Sequence, residues 1–399
     1  MAERPLSPVS LARCDDYEPR RVLGCIRECL EPLGGVQAFV SPGQRVLVKP
    51  NLLSPAPPEA AITTHPAVVE AVVRLVQAAG GRPVIADSPS ADVPTDAPGL
   101  RRLYGETGLL AVAEATGAKL CWDLSGASVS NPDGRLVKRL ELIRPALEAD
   151  VVIALPKLKT HALTTLTGAT KILFGLVPGL AKPGYHAAFH NPDLFGELLL
   201  DIIARVRPRL FVMDAVVAVE GNGPGRGGRP RRLGALLAGV DAVALDLAAC
   251  RLVGVDPLRV PMLRAARARG WWSGDPDAVS ILGPTLAELA VRDFALPASR
   301  GSTADGGRSM VPFPRLTRPL MVDVLSPRPQ PQPGRCTGCG SCARACPVHA
   351  IAIHDGLAVV DHGRCIRCYC CHEVCPSASV DLQFTRFARL VRRLIGVTR

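Results

Sequence analysis

Short apolar runs alternate with longer amphipathic segments over residues 45–252 of the chain. Apolar runs bounded by polar turns are typical of strands buried on both faces, whereas the longer segments repeat with the period of a helix. The pattern predicts strands at residues 46–48, 83–86, 119–122, 151–155, 210–213 and 235–239, and helices at 66–79, 104–116, 193–206 and 241–252. This order predicts an α/β domain whose mostly parallel sheet is flanked by helices.

Polar side chains gather just after several of these predicted strands. They are Lys49 and Asn51, Asp87 and Ser88, and the polar residues within 157–161 and 214–223. Ligands of open α/β sheets bind outside the carboxyl ends of the strands. The sequence therefore predicts a ligand site built from these loops, and we assign Lys49 and Asn51 to substrate binding.

The segment Lys157-Leu-Lys-Thr-His161 follows a fully apolar predicted strand. Alternate side chains of an extended chain share one side, so Lys157, Lys159 and His161 are expected to face the same way. Ammonium groups bind phosphate or carboxylate, and histidine exchanges protons near neutral pH. We assign Lys157 and His161 to catalysis and Lys159 to substrate binding. A solvated loop is the alternative.

A second stretch, Thr167-Gly-Ala-Thr-Lys171, is rich in small residues that let the backbone approach a ligand closely. Lys171 adds positive charge and is assigned to substrate binding. His186 follows shortly afterwards and is a candidate acid, base or metal ligand. A purely structural histidine is the alternative at that position.

The glycine-rich segment at 220–229 is the most unusual loop of the chain. Successive glycines can form a nest of N–H groups that binds an anion, and two arginines in the segment would reinforce it. We assign Glu220 to catalysis and Asn222 and Gly223 to substrate binding. A flexible loop is the alternative. Asp241, at the start of the next helix, is as well explained by helix capping.

Eight cysteines near the C-terminus form two copies of one motif, placed 29 residues apart. The copies are Cys336, Cys339, Cys342 and Cys346, and Cys365, Cys368, Cys371 and Cys375, each ending in Cys-Pro. Bacterial-type ferredoxins use this spacing for [4Fe–4S] clusters, and the fourth cysteine of each copy binds the other cluster. We therefore predict two [4Fe–4S] clusters, one on Cys336, Cys339, Cys342 and Cys375, the other on Cys365, Cys368, Cys371 and Cys346.

Two alternatives to this ligand assignment exist. Paired zinc knuckles also contain Cys-x2-Cys, but three evenly spaced cysteines with a distant Cys-Pro are not their usual pattern. Cys370 falls between ligands and is interpreted as a spare thiol, since a ligand role would require a shifted register. The remaining cysteines, Cys14, Cys25, Cys29, Cys121 and Cys250, have no motif spacing.

Composition narrows the class of protein. Hydrophobic residues make up 48% of the 399 residues, which supports a sizeable core, and aromatic residues only 4%. The net charge is +11, yet no nucleic-acid-binding motif accompanies it, so we predict no nucleic-acid partner. The chain shows no apolar signal region at its start and no clean membrane span, which predicts a cytoplasmic protein.

Four segments are predicted along the chain: the α/β domain at 1–325, a proline-rich linker at 326–334, a small α+β ferredoxin-type domain at 335–383 and a tail at 384–399. Alternating prolines make the linker extended and stiff. Residues 298–308 are predicted to form a surface loop. The tail is predicted to be a basic amphipathic helix that packs on its own protein or a subunit; attachment to a membrane surface is the less favoured alternative.

The α/β region resembles the domain of unknown function 362 proteins, also called uncharacterised iron–sulfur centre proteins. The resemblance rests on Val-Lys-Pro-Asn at 48–51, Thr-His-Pro at 64–66, Asp-Ser-Pro at 87–89, Pro-Lys-Leu-Lys-Thr-His at 156–161, Phe-Gly-Leu-Val-Pro-Gly at 174–179, Glu-Gly-Asn-Gly-Pro at 220–224 and Asp-Ala-Val-Ala-Leu-Asp at 241–246. It implies an α/β domain often fused to a ferredoxin module, and no defined reaction.

These features predict an iron–sulfur oxidoreductase that relays electrons through two clusters to or from a small anionic substrate. An external protein would serve as electron donor or acceptor. The alternatives are a non-catalytic electron carrier for a partner enzyme and a redox-sensing or metallocentre-assembly protein. Because no Gly-x-Gly-x-x-Gly with a suitable acid is present, we predict no bound NAD or flavin.

Overall fold

A computed structural model describes residues 6–284, 286–297 and 326–394, with side chains described as far as residue 390. The strands of the large domain are β1 (Val9–Arg13), β2 (Arg45–Pro50), β3 (Arg82–Ile85), β4 (Lys119–Leu120), β5 (Gly126–Ser130), β6 (Arg139–Ile143), β7 (Val151–Leu155), β8 (Lys157–His161), β9 (Thr165–Thr167), β10 (Leu210–Gly221), β11 (Gly228–Gly239) and β12 (Ile281–Leu282). Its helices are α1 (Pro19–Leu30), α2 (Pro66–Ala78), α3 (Ala97–Glu106), α4 (Leu109–Thr116), α5 (Arg144–Glu148), α6 (Ala169–Ile172), α7 (Lys182–Ala188), α8 (Pro192–Val206), α9 (Ala242–Leu252), α10 (Pro261–Ala268) and α11 (Leu286–Leu289).

The main sheet has the order β12-β1-β11-β10-β7-β2-β3-β4, with β8 paired to β10 and to β9. The pairs β10–β7, β7–β2, β2–β3 and β3–β4 are parallel, whereas β11 runs antiparallel to both β10 and β1. Helices cover this mostly parallel sheet, and its core is aliphatic. The predicted fold class is confirmed.

Local signals in the sequence explain where several helices begin. Pro66 is the first residue of α2, and His65 Nδ1 accepts a hydrogen bond from Ala67 N at 3.2 Å. Asp241 caps α9 by accepting from Val243 N at 2.8 Å, so the capping interpretation of Asp241 is confirmed.

Two predicted elements differ from the structure. The helix predicted at 104–116 is two helices, α3 and α4, because Gly108 adopts φ 79° between them. The strand predicted at 210–213 continues to Gly221, so Asp214 lies inside β10 and not in a loop. The β10 and β11 strands form a hairpin whose turn lies within the glycine-rich segment at 220–229, and the polar first half of β11 carries no apolar pattern that would have predicted it.

The C-terminal module contains β13 (Arg328–Pro331), β14 (Ile351–His354), β15 (Leu357–Val360), β16 (Val380–Gln383) and short helices at Ser341–Arg344 and Cys370–Val374. The strand β13 pairs with β16, so residues 328–331 belong to the module and are not a linker. Pro329 and Pro331 are tolerated because they alternate with residues whose N–H groups face β16, as in Gln332 N, which donates to Ser379 O at 2.8 Å. The loop predicted at 298–308 lies outside the described residues.

The module packs against the large domain. Tyr369 and Leu382 belong to the same contiguous set of buried residues as the aliphatic core of the sheet. His372 Nε2 of the module also lies 3.0 Å from Asn222 O of the large domain. These contacts seat the helix Cys370–Val374 on the sheet edge that the polar loops occupy. The tail forms a helix at Arg386–Leu394.

Candidate functional site

The strands β7 and β8 form one line broken only by Pro156, and both pair in parallel with β10. β8 therefore extends the centre of the sheet beyond its carboxyl edge, where the sequence predicts a ligand site. Lys157, Lys159 and His161 are each no more than 2% exposed. The solvated-loop alternative is wrong, because β8 is buried between β9 and β10.

Lys157 is held by an ion pair and not presented freely to a ligand. Its Nζ lies 2.7 Å from Asp214 Oδ2 and donates to the Tyr17 hydroxyl at 2.7 Å. Tyr17 in turn donates to Asp214 Oδ1 at 2.8 Å. Tyr17 also stacks on the ring of His65, with 3.6 Å between the ring centroids. Although Lys157 borders the cavity described below, this network makes it chiefly a structural cation.

Lys159 is buried without a carboxylate partner among the described residues. Its Nζ donates to Asn51 Oδ1 at 2.6 Å and to Ile62 O at 2.7 Å. Burial, followed by the nearby charge of Lys171, lowers the pKa of Lys159 well below its usual value. A buried ammonium group with only neutral oxygen partners favours the approach of an anion.

His161 connects the sheet to the ferredoxin-type module. Its Nδ1 accepts hydrogen bonds from Leu163 N at 3.0 Å and Thr164 N at 3.3 Å. Its Nε2 lies 2.9 Å from Glu373 Oε1 on the helix Cys370–Val374, although the contact is not a well-directed hydrogen bond. Burial lowers the pKa of His161 to about 4, and the side chain does not border the cavity. The structure therefore places this predicted catalytic residue at a domain junction.

Lys49 is paired as well. Its Nζ lies 2.6 Å from Asp87 Oδ1, and Asp87 Oδ2 accepts from Leu52 N at 2.7 Å. Gly175 passes so close to this pair that any side chain there would overlap with Asp87. The pair thus fixes two of the predicted loops against each other and leaves Lys49 little freedom to bind a substrate.

A cavity with an empty volume of about 840 Å³, partly open to solvent, lies at this edge. The large domain contributes Asn51, Ser88, Lys159, Lys171, Lys182 and His186 to its wall, and the C-terminal module contributes Ala345, Cys370, Glu373 and Val374. The cavity is therefore lined by both parts of the chain.

Several polar groups of the cavity wall lack a partner that would satisfy them. Ser88 Oγ and His186 Nδ1 are buried and accept or donate no hydrogen bond within the described part of the chain. Lys171 likewise forms no hydrogen bond or ion pair there, although the charge of Glu373 is close enough to act on it. Buried polar groups are usually satisfied, so unpaired ones in a cavity mark where a ligand would bind.

Lys182 is a cavity residue that the sequence did not single out. Its Nζ donates to Ser88 O and to Pro89 O, the latter at 2.6 Å. Burial lowers the pKa of Lys182 to about 7, partly offset by Asp87. The amine therefore changes its charge near neutral pH.

His186 has an aromatic environment. Its ring stacks on Phe195 with centroids 4.7 Å apart and meets Phe174 edge-on at 5.4 Å. Burial lowers the pKa of His186 to about 4. The neutral ring borders the cavity and can exchange hydrogen bonds with a ligand.

The glycine-rich segment meets the C-terminal module instead of forming an open anion nest. A side chain at Gly225 would overlap with the carbonyl oxygen of Glu373, and one at Gly227 would lie 3.2 Å from His372 Cε1. His372 Nε2 lies 3.0 Å from Asn222 O. The glycines are thus explained by close backbone approach between two parts of the protein.

The other predicted residues of that segment also lie away from the cavity lining. Gly223 N donates to Thr160 Oγ1 at 3.2 Å, which ties the hairpin to β8. Glu220 accepts from Ala295 N at 3.1 Å and pairs with Arg229 at 3.3 Å. Pro224 is the residue of this segment that reaches the cavity.

The cysteines of the C-terminal module form two groups. Cys336, Cys339, Cys342 and Cys375 line one small cavity. Burial, followed by the charges of Cys368, Cys365, Cys342 and Cys346, raises the pKa of Cys371, so Cys371 lies near the other three predicted ligands of its cluster and also near Cys342 of the first group. Backbone N–H groups point at Cys346 Sγ from Ala350 (3.2 Å) and at Cys375 Sγ from Ser379 (3.2 Å). Such N–H donors stabilise thiolates that bind iron.

These residues fit [4Fe–4S] clusters by their donor chemistry. Within residues 6–284, 286–297 and 326–394, no three His, Cys, Asp or Glu side chains converge on a position for a single metal ion. A cubane does not require that convergence, because each thiolate binds a different iron. Cys370 is buried beside Cys368 and borders the large cavity.

Comparisons with known proteins agree with this division of the chain. The family described as "Domain of unknown function (DUF362)" matches residues 46–251, and the "4Fe-4S dicluster domain" matches residues 335–379. The thylakoid-associated protein sll1697 of Synechocystis sp. is 39% identical over 292 residues, which cover 72% of this chain and 87% of that protein.

Two solved structures share a weak likeness. They are the lactate racemase apoprotein from Thermoanaerobacterium thermosaccharolyticum (13% identity, 55% of this chain and 52% of that chain) and a protein from Thermotoga maritima (14% identity, 52% and 53%). The chain thus spans about half the length of each, with TM-scores of 0.32. At that level the likeness supports no inference about activity.

Proposed function

We propose a redox function for this chain, which belongs to the DUF362 family, from the cavity that its two parts share. A 4Fe-4S ferredoxin-type domain gives the protein the capacity for electron transfer. We infer that two clusters pass electrons to or from a small anionic substrate in the cavity. One observation carries the proposal: the cavity is lined both by lysines of the large domain and by the helix Cys370–Val374, which contains the predicted cluster ligand Cys371.

The charges of the cavity support an anionic substrate. Lys159, Lys171 and Lys182 form no ion pair with a described residue, whereas Lys49 and Lys157 are already paired with Asp87 and Asp214. The carboxylates in the wall are those of Asp87, which is paired with Lys49, and of Glu373, which lies close to His161. A bound anion would provide the counter-charge that these three ammonium groups lack. It would thereby offset the free-energy cost of burying them.

Proton supply is assigned to Lys182 and hydrogen bonding to His186. The pKa of Lys182, lowered by burial to about 7, lets its amine give or take a proton at neutral pH. His186, with a pKa lowered by burial to about 4, remains neutral there and supplies the unpaired Nδ1. His161 is assigned a positioning role at the junction with Glu373.

The clusters, when bound, supply one-electron transfers. The chain's own contribution is to place Cys370, Glu373 and Val374 in the cavity wall, so that the substrate lies against the helix that bears Cys371. An external one-electron carrier protein would exchange electrons with the module.

Anaerobic electron paramagnetic resonance on the reduced protein tests this function. The reduced-cluster signal would be followed while oxo acids, dicarboxylates and phosphorylated acids are added in turn. We expect one class to reoxidise the clusters in the wild type and not in Lys171→Ala, with iron content unchanged. Lys119→Ala, on the exposed edge of the sheet, is the matched control and should behave as the wild type.

If no anion reoxidises the clusters but a carrier protein does, the protein is an electron carrier without its own reaction. If Lys171→Ala and the wild type respond equally, the cavity is not the substrate site. Within the described residues, no helix is long and apolar enough to cross a membrane. We keep the cytoplasm as the proposed compartment.

A further inference from the structure

The tail helix Arg386–Leu394 presents apolar side chains to solvent. Phe387 is 54% exposed and Leu390 is 56% exposed, whereas Ala388 is completely buried. Residues three apart lie on the same face of a helix, so Phe387 and Leu390 form one patch. The helix thus contacts its own protein along the side of Ala388, and the expected packing of Phe387 on that protein is not what the structure shows.

The same helix carries positive charge beside this patch. Arg386 and Arg389 are exposed and flank Phe387 and Leu390 along the chain. Residues 384–399 include five arginines and no acidic residue. An apolar patch flanked by arginines on its own helix complements a surface whose interior is apolar and whose outer layer is anionic.

We propose that the tail helix docks the protein on anionic lipid at a membrane surface. Phe387 and Leu390 would enter the boundary between headgroups and acyl chains, while the arginines contact lipid phosphates with their apolar stems extended along the surface. The contact with its own protein at Ala388 holds the helix in place before binding, which lowers the entropy cost of docking. This interaction lies on the membrane and does not span it.

An acidic protein groove could satisfy the charge, but the exposed geometry favours lipid. Both apolar side chains and both arginines are accessible at once on a helix of nine residues lying against its own domain. A flat anionic bilayer can contact all four side chains without a conformational change in the protein. Each arginine near such a surface adds attraction that weakens with salt.

Vesicle co-sedimentation of the full-length, cluster-loaded protein tests the proposal. We expect binding to vesicles with roughly a third phosphatidylglycerol, little binding to pure phosphatidylcholine, and release by salt. The double variant Phe387→Ser/Leu390→Ser and the double variant Arg386→Gln/Arg389→Gln should each weaken binding by at least about tenfold. The control Val359→Ser changes a side chain that is 51% exposed in another part of the module and should have no effect.

Light scattering of the same variants distinguishes the other occupants of this face. All of these variants alter exposed residues, and the visible absorbance of the clusters would verify that each variant is folded. The proposal is overturned if the wild type ignores anionic vesicles or if either double variant binds them as well as the wild type. A lower oligomeric state in Phe387→Ser/Leu390→Ser would also overturn it, by assigning the face to a second copy of the chain.

Discussion

Glu373 of the ferredoxin-type module lies 2.9 Å from His161 of β8, across the junction between the two parts of the chain. Glu373 sits between Cys371 and Cys375, and His161 ends the strand that carries Lys157 and Lys159. At this junction, the segment that carries the predicted iron ligands contacts β8, the basic strand of the large domain.

Gly225→Ala should separate the module from the cavity, because the added methyl group would overlap with Glu373 O. We expect full iron content but loss of substrate-dependent reoxidation, with faster hydrogen exchange at residues 370–374. Gly24→Ala, on a helix with open space around it, is the matched control. Unchanged exchange and reoxidation in Gly225→Ala would show that the hairpin does not position the module.

Binding of the anionic substrate should weaken as pH rises through about 7. Burial lowers the pKa of Lys182 to about 7, so the free protein loses this positive charge above that pH, whereas a bound anion favours the protonated amine. Binding is then coupled to uptake of a proton, and affinity falls by up to about tenfold per pH unit above the transition. Calorimetry in two buffers of different ionisation enthalpy would count that proton. Lys182→Arg should bind without this pH dependence, and a persistent dependence would assign the proton to another group.

Asp214→Asn should destabilise the large domain by about 3–5 kcal/mol, because it leaves the buried Lys157 ammonium without its counter-charge. Thermal unfolding followed by circular dichroism would measure the change. Asp193→Asn breaks an ion pair with Arg264 whose carboxylate is exposed, and should cost less than about 1 kcal/mol. Similar costs for the two variants would show that the Lys157 pair is not a structural element.

Cys339→Ala should remove roughly half of the bound iron or more, because one of the two predicted clusters loses a ligand. Iron analysis and the visible spectrum of the reconstituted protein provide the measurement. Cys370→Ala should retain the iron, since this thiol lies between the predicted ligands. Iron loss in Cys370→Ala together with retention in Cys339→Ala would mean that the register of ligands is shifted.

The sequence was sufficient to predict the strands that form the carboxyl edge of the sheet, because apolar periodicity is a local property. The partners of the charged residues were not predictable in the same way. The sequence predicts a catalytic Lys157, but its partners Tyr17 and Asp214 come from distant parts of the chain. Without knowledge of the fold, a buried paired lysine and a substrate-binding lysine have the same sequence signal.

The glycine-rich segment illustrates the same limitation. Its composition predicts an anion-binding nest, whereas the structure places its glycines against Glu373 and His372 of the module. Lys182 was overlooked because it lies at the start of a short helix and outside any strand-end motif. A lysine embedded in the apolar context Gly-Leu-Ala-Lys-Pro-Gly was the available signal.

The shared wall of the cavity has a consequence for the protein before it acquires iron. Small cluster-binding modules depend on their metal for folding, so the helix Cys370–Val374 would lose its position when the thiolates are empty. The lysines would then face open water, and the enclosed space that concentrates an anion would no longer exist. If the cavity binds the proposed anion, protein made in a cell short of iron would not bind that anion, and the supply of iron would set how much of the protein is able to bind it.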